Sequence, residues 1–207
     1  VSKTYDGTTN AAGTAVAVGG TQLYGGDNLS GGSFAYDDKN VGTGKTVTVS
    51  GVTVNDGNGG NNYTVSYVDN TGSSITPAPL TVTANDDGKV YDGNAYSGGN
   101  GVTYSGFVVG EDEAELSGTL AYSGDSQGAR NVNDDGYAIT PEGYTSGNYT
   151  ISYVDGTLVI DPAIINLSGS RDYAPGNTDA NADDFADAGG LVDGVNGEKL
   201  ALSGSGS

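Results

Sequence analysis

The chain has 207 residues, with 7 basic and 26 acidic side chains and a formal net charge of −19 at pH 7. This balance argues against nucleic acids and anionic membranes as partners, because both are bound through lysine and arginine. The absence of cysteine excludes disulfides and zinc–thiolate sites, and the absence of histidine removes the usual proton shuttle near neutral pH. No apolar run approaches the ~20 residues of a membrane-spanning helix, so membrane insertion is not expected.

The first part of the chain predicts β-strands, because its apolar residues alternate with polar ones. Val47 and Val49 would share one face of a strand, and Val52 and Val54 resume the alternation one residue out of phase. A change of phase at Gly51 is typical of a β-bulge.

Further along the chain, Tyr63, Val65 and Tyr67 form one face of the next predicted strand. Residues 80–84 alternate as well, and residues 158–160 are a short apolar run suited to a strand buried on both faces. Turns rich in glycine, asparagine and aspartate separate these runs. The pattern as a whole predicts an all-β fold of the sandwich type.

Two motifs recur with a spacing of 86 residues. Residues 62–69 (NYTVSYVD) return as residues 148–155 (NYTISYVD), and Tyr5-Asp6-Gly7 returns as Tyr91-Asp92-Gly93. A looser third copy of the second motif lies at residues 171–176. This period is longer than that of solenoid repeats, about 20–50 residues, and fits an autonomous small domain. We therefore predict β-sandwich domains in tandem.

Proline-containing linkers mark the predicted domain boundaries near Ala78 and Ala163. Because proline fixes φ and restricts its predecessor, these linkers should be short and stiff, which favours an extended rod. The predicted domains are residues 1–78, 79–163 and 164–207. The first lacks the apolar strand that opens the second, and the third stops about halfway, as expected for a window from a longer array.

The repeats resemble two related families. Residues 1–78 resemble a YDG domain, and residues 79–163 resemble an MBG domain, although that family often has Tyr-Gly where this chain has Tyr91-Asp92-Gly93. Residues 164–207 resemble the opening half of a further YDG-type unit. The motifs behind the resemblance are residues 3–9, 34–38, 40–45, 62–63 and 75–78 in the first copy, and 80–84, 106–111, 116–120, 137–141 and 147–149 in the second.

This resemblance implies tandem β-sandwich repeats of large bacterial exoproteins, of the filamentous-haemagglutinin and adhesin kind. It implies an extracellular or cell-surface location, and it carries over no catalytic residues. The expected partners are neighbouring repeats of the same chain or adjacent subunits, with a glycan or host surface bound through another domain.

The recurring motifs define the structural signature of the repeats. Its residues are Tyr5, Asp6, Gly7, Tyr91, Asp92, Gly93, Asn62, Tyr63, Asn148 and Tyr149. The signature tyrosines could pack inside the sandwich beside a tight Asp-Gly turn, or they could stack on a sugar. Recurrence in every copy favours the structural interpretation.

Acidic residues are the only candidates for a metal site, and no cofactor is required. The candidate calcium ligands are Asp86, Asp87, Asp134, Asp135, Asp183 and Asp184. Carboxylates in loops suit calcium, but none of these clusters has the spacing of a known calcium loop. Solvated carboxylates in turns are the favoured alternative. Paired carboxylates also occur in glycosidases, but without His or Cys we expect no enzyme.

The function predicted from the sequence is a non-catalytic stalk or extender. One alternative is a module that binds glycan or host protein, for which the second copy has additional tyrosines at positions 96, 104, 122 and 144. Another is a filament subunit that assembles by strand exchange. Its candidate donor residues are Ile164, Ile165 and Leu167, which repeat the strand at residues 80–84 and could complete the first copy of a neighbouring chain.

Overall fold

The computed structural model describes residues 1–19 and 22–166, together with four short strands further along the chain. The chain divides into two compact units, each assembled from separate segments. The first unit comprises Val1–Val82, Tyr104–Leu120 and Gly143–Tyr153, and the second comprises Thr83–Thr103, Ala121–Glu142 and Val154–Ser207. The predicted all-β fold class is confirmed. Among the described residues, no helix is long and apolar enough to cross a membrane.

Four strands form the sheet of the first repeat. They are β1 (Ser2–Thr4), β2 (Asn28–Tyr36), β3 (Gly42–Asn55) and β4 (Asn70–Thr76). Their order in the sheet is β1-β4-β3-β2, with β1 parallel to β4 and the other neighbours antiparallel. The alternating valines of β3 account for the long hairpin with β2, in which Tyr36 pairs with Val47 and Asn28 with Asn55.

The predicted bulge at Gly51 is wrong, although the change of phase is real. Val47 and Val54 are both buried, so the inward face does shift between them. The pairing of β2 with β3 nevertheless keeps one register on both sides of the shift, with Ser33 opposite Ser50 and Gly31 opposite Val52. The inward-facing positions therefore shift by one residue in both strands together, and neither strand contains an extra residue. Gly51 makes this possible through its positive φ of 65°.

The second repeat has seven strands and one short 3₁₀ helix, Glu113–Glu115. The strands are β5 (Ala78–Ala84), β6 (Asp87–Val90), β7 (Val102–Ser105), β8 (Ser117–Ser123), β9 (Tyr137–Thr145), β10 (Tyr149–Val154) and β11 (Gly156–Asp161). One sheet has the order β6-β11-β9-β8 and repeats the plan of the first, because β6 is parallel to β11 as β1 is to β4. A further sheet has the order β10-β5-β7.

Four short strands follow the second repeat. They are β12 (Ala180–Asn181), β13 (Leu191–Asp193), β14 (Lys199–Ala201) and β15 (Ser205–Gly206). They pair in antiparallel fashion, β12 with β15 and β13 with β14.

The strand predicted at Tyr63–Tyr67 is absent, since residues 63–69 form no regular secondary structure. The nearly identical segment of the second repeat is β10, which pairs with β5. A strand needs a hydrogen-bonded neighbour as well as a suitable sequence. Within residues 1–19 and 22–76, no strand occupies the place that β5 takes in the second repeat.

Each unit has its own apolar core. The core of the first unit contains Tyr5, Tyr36, Val47 and Ile75 from the first repeat and Ala78, Leu80 and Tyr149 from the second. The core of the second unit contains Ala84, Ala129, Ile139, Leu158 and Ile160. The alternation predicted for residues 80–84 is confirmed, because Leu80, Val82 and Ala84 are at most 3% exposed. In β11 the prediction of two buried faces is wrong, because Val159 is 40% exposed.

Gly106 allows the chain after β7 to approach β5. Its φ is +114°, and a Cβ added there would lie 2.4 Å from the carbonyl oxygen of Pro79. Gly110 also has a positive φ, of +90°, but a Cβ there would meet nothing within 4 Å. The two positions therefore separate the cost of backbone strain from the cost of a collision.

We expect Gly106→Ala to lower the free energy of unfolding by roughly 2–4 kcal/mol, since backbone strain and overpacking add. The control, Gly110→Ala, should cost only the strain, about 1–2 kcal/mol. Urea unfolding of both variants measures the difference. Equal losses would mean that the backbone of β5 moves aside without cost.

Candidate functional site

The signature tyrosines of successive repeats meet inside the first unit. Tyr5 and Tyr149 are buried, and their rings form an edge-to-face pair with centroids 5.5 Å apart and an interplanar angle of 78°. Phe107 makes a second edge-to-face contact with Tyr149, at 5.4 Å and 84°. Such pairs stabilise a core beyond the area they bury. We call Tyr5, Lys39, Glu111 and Tyr149 the joint.

Glu111 lies at the centre of the joint, and its side chain is only 8% exposed. Its Oε1 accepts hydrogen bonds from the Tyr5 hydroxyl at 2.6 Å and from Lys39 Nζ at 2.8 Å. Its Oε2 accepts a hydrogen bond from the Tyr149 hydroxyl at 2.6 Å. Two donors thus come from the first repeat and one from the second, so that one carboxylate links the two repeats.

The turn that carries Glu111 is fixed by the same tyrosine. The Glu111 N–H donates to the carbonyl of Val108 at 3.0 Å, which closes the turn. The Val108 N–H donates to the Tyr149 hydroxyl oxygen at 3.2 Å. The hydroxyl of Tyr149 therefore accepts one hydrogen bond and donates another, and it holds the carboxylate at a set position.

Burial and the hydrogen bonds within the joint determine which of its groups are charged. Burial raises the pKa of Glu111, but the hydrogen bonds from Lys39, Tyr149 and Tyr5 outweigh burial and bring the pKa below its ordinary value. Burial, and then the bond to Glu111, raise the pKa of Tyr149 to about 12. The bond to Glu111 raises the pKa of Lys39 above its ordinary value. At neutral pH the joint is an ionised carboxylate held by one ammonium and two neutral hydroxyls.

Asn148, the residue before Tyr149, makes a second set of bonds to the first repeat. Its Oδ1 accepts from the Val41 N–H at 3.1 Å, and its Nδ2 donates to Asn40 Oδ1 at 3.2 Å. Its carbonyl accepts from the N–H of Ala78, at the start of β5, at 3.0 Å. The Asn-Tyr signature of the second repeat thus contacts the loop before β3 and the linker.

The first repeat contains the same local framework at Tyr63. The Tyr63 hydroxyl donates to Asp27 Oδ2 at 2.7 Å and accepts from the Tyr24 N–H at 2.9 Å. The Asp27 N–H donates to the carbonyl of Tyr24 at 2.9 Å. Tyr24, Asp27 and Tyr63 therefore correspond to Val108, Glu111 and Tyr149.

The two Tyr-Asp-Gly motifs also share one geometry. The Tyr5 N–H donates to the Thr76 carbonyl at 2.8 Å, and the Tyr91 N–H donates to the Asp161 carbonyl at 2.8 Å. In each motif a lysine two residues before the tyrosine forms an ion pair with the aspartate, at 2.7 Å in the first and 2.6 Å in the second. The glycines Gly7 and Gly93 both have positive φ, 75° and 72°. Each repeat thus ends in the same arrangement.

Sequence reasoning placed Glu111 in the motif at residues 106–111 without giving it a role, and it did not identify Lys39 or Asp27 as parts of a site. Each acid occupies a turn, where no periodicity singles it out from other acidic residues. The sequence did contain one signal that the two acids share. Asp27 and Glu111 each lie shortly before a Leu-Ser-Gly sequence, which begins at Leu29 in the first repeat and at Leu116 in the second.

Four of the six candidate calcium ligands, Asp86, Asp87, Asp134 and Asp135, belong to the described residues. Asp86 accepts a bond from the Thr157 N–H at 2.8 Å, and Asp87 accepts one from the Tyr96 hydroxyl at 2.8 Å. Asp134 and Asp135 are exposed in the turn before β9. Asp183 and Asp184 lie outside the described residues. In the described part of the chain, no three acidic residues are grouped as a metal site would require. Calcium binding stays a prediction.

The candidate donor residues follow the second repeat. Residues 162–166 form no strand, and Ile164 and Ile165 are 87% and 45% exposed. Leu167 lies outside the described residues. Strand exchange therefore stays a prediction from the sequence.

Comparison with known families agrees with the repeats. Residues 1–71 match the family model of the YDG domain, and residues 80–159 match that of the MBG domain of the YGX type. The resemblance found in the sequence is therefore confirmed. No curated protein and no solved structure matches the chain.

The joint predicts a specific pH dependence. Because the pKa of Glu111 is lower in the folded chain than its unfolded value of about 4.3, its contribution to stability is complete above that value. The contribution is lost as the pH falls through the folded pKa. We expect Glu111→Gln to lower the free energy of unfolding at pH 7 by about 1.5–3 kcal/mol, and we expect its difference from the wild type to shrink as the pH falls below about 4.3.

Urea unfolding at several pH values measures this effect. Glu115→Gln is the matched control, because Glu115 is exposed on the same segment, and it should change stability by less than about 0.5 kcal/mol. If the free energies of unfolding of Glu111→Gln and the wild type differed by the same amount from pH 7 to pH 3, the role given to the Glu111 carboxylate would be contradicted.

The two Asn-Tyr signatures should respond differently to the same substitution. Asn148→Ala removes two bonds to the first repeat and should cost about 1–2 kcal/mol. Asn62 is exposed, and its side chain accepts one bond from Asn58. Asn62→Ala should therefore cost less than about 0.5 kcal/mol. Thermal unfolding compares the two variants, and a larger loss for Asn62→Ala would refute the role given to Asn148.

Proposed function

Since the chain carries a YDG domain followed by an MBG domain, we propose that it is a non-catalytic structural segment, a stalk or extender, of a secreted or surface-anchored bacterial adhesin or surface filament. Neither family is known as catalytic. The supporting observation is the joint, in which the two repeats share a core and one buried carboxylate.

A shared core is what a load-bearing spacer requires. Domains joined only by a flexible linker move independently, whereas an apolar interface with satisfied polar groups resists bending. Here Tyr5 precedes the linker by about 70 residues in sequence, yet its N–H is bonded to Thr76 beside Pro77. The linker is thus anchored on both sides, by Thr76 in the first repeat and by Ala78 against Asn148.

The surface charge agrees with an extracellular spacer. A net charge of −19 gives adjacent copies a mutual repulsion that favours solubility and opposes non-specific association. Such a surface suits a segment whose function is to hold other parts of a protein at a distance.

Direct recognition of glycan has less support. The additional tyrosines of the second repeat are all half-buried. Tyr96 donates to Asp87, and the hydroxyls of Tyr104 and Tyr144 are bonded to each other at 2.9 Å. Side chains used in this way are poor stacking platforms, so the structural function is the one proposed.

Small-angle scattering tests the proposal. A compact single domain of this length would have a radius of gyration of about 17 Å, and a stalk segment should exceed that value by about half. The measurement is made on the full chain at low concentration, with the Glu115→Gln variant as a control. A radius near 17 Å would overturn the stalk function.

A further inference from the structure

In both repeats, the strand that leads into the Tyr-Asp-Gly motif pairs in parallel with the last strand of the same repeat. In the first repeat β1 is parallel to β4, and in the second β6 is parallel to β11. The two strands of each pair are far apart in sequence, because the hairpins of the repeat lie between them. Each pair therefore closes its repeat, and its two strands point the same way.

The backbone hydrogen bonds of each parallel pair continue into the tyrosine of the motif. The Tyr5 N–H donates to the carbonyl of the last residue of β4, and the Tyr91 N–H donates to the carbonyl of the last residue of β11, each at 2.8 Å. At the opposite end of the first pair, the Ser74 N–H donates to the carbonyl of Val1 at 3.0 Å. Hydrogen bonds thus join β1 to β4 beyond both ends of β1.

A packed tyrosine ring follows the strand in both pairs. Tyr5 is only 2% exposed, its ring contacts Tyr149, and its hydroxyl donates to Glu111. Tyr91 is half-buried and packs against the core of the second unit. A strand that slides along its partner must displace this ring. The ring contacts and the backbone hydrogen bonds are therefore lost together.

Tension along the chain acts on both parallel pairs in shear. Tension reaches β1 at its N-terminal end and leaves β4 at its C-terminal end, where the chain passes into Pro77. It reaches β6 in the same way from β5, and it leaves β11 towards Pro162. Because the strands of a pair are parallel, they are pulled in opposite directions along one axis. All their hydrogen bonds are then loaded together, whereas pulling both strands from one end breaks the bonds one after another.

We infer that each repeat contains a mechanical clamp, formed by β1 with β4 in the first repeat and by β6 with β11 in the second. The clamp keeps the repeat folded when the chain is stretched between its ends. Forced unfolding is governed by the unfolding rate rather than by the equilibrium stability. A contact whose bonds must all be lost in one step slows unfolding under load. The inference rests on the proposed stalk function, because such a device acts only in a segment that is under tension.

Magnetic tweezers at constant force test the clamp on the full chain by changing the direction of pulling. The chain has no cysteine, so two introduced cysteines define the attachment points. Val1→Cys with Pro77→Cys loads β1 and β4 in shear. Thr9→Cys with Pro77→Cys pulls the same two strands apart from one end. The three substituted side chains are all exposed.

We expect the first repeat to stay folded at least about ten times longer in shear than when its strands are pulled from one end at the same force. At least one further hydrogen bond must then be lost in the same step, which gives a factor of roughly this size. Urea unfolding without load is the control, and it should give the same stability for both double variants. Equal lifetimes, or a longer lifetime when the strands are pulled from one end, would overturn the clamp.

The second repeat provides an independent measurement with the same design. Asp86→Cys with Ile164→Cys loads β6 and β11 in shear, and Ala95→Cys with Ile164→Cys pulls them apart from one end. These three side chains are exposed as well. Asp86→Cys also removes the hydrogen bond from the Thr157 N–H, which shortens the lifetime in shear. A longer lifetime in shear is therefore due to the direction of pulling, and its absence in this repeat would overturn the clamp as a property of both repeats.

The clamp and the stalk function fail in different measurements. A chain whose radius of gyration exceeds the compact value, but whose lifetime under load does not depend on direction, keeps the stalk function and overturns the clamp. A chain with a radius near about 17 Å and a longer lifetime in shear overturns the stalk function and keeps the clamp as a mechanical property of its sheets.

Discussion

The carboxylate of Glu111 accepts hydrogen bonds from three donors, and the organisation of the first unit depends on all three bonds. A carboxylate among aromatic rings is costly to desolvate, so it is stable there only when its oxygens are well bonded. Tyr5, Lys39 and Tyr149 meet this need from two repeats at once. The Tyr-Asp-Gly motif of one repeat and the Asn-Tyr motif of the next are thus parts of one site, which gives a physical reason for their shared spacing.

Strand alternation was predictable because it is a local property of the sequence. The inward positions of β5 agree with the predicted alternation, and the matching strand orders β1-β4-β3-β2 and β6-β11-β9-β8 agree with the predicted recurrence of one unit. Whether residues 63–67 form a strand was not predictable from that pattern. They are almost identical to β10, yet only β10 is a strand, because β5 lies beside it. In a sheet, pairing context decides between two outcomes of the same residues.

The candidate site was only half predictable for a related reason. Recurrence in the sequence marked Tyr5 and Tyr149, since both belong to repeated motifs. Glu111 is 106 positions from Tyr5 and lies in a turn among other acids, so only the fold brings the two together. Sequence reasoning considered Asp86 and Asp87 as metal ligands, but it could not show their partners within the chain. Their carboxylates accept bonds from Thr157 and Tyr96 and thereby organise the end of the second repeat.

The joint is formed between two parts of one chain, and this lowers the affinity that it needs. The short linker at Pro77 keeps the two repeats at a high effective concentration beside one another, so the joint needs little intrinsic affinity. The shared core and the buried carboxylate therefore have only to fix the arrangement of two repeats that the linker already holds close together.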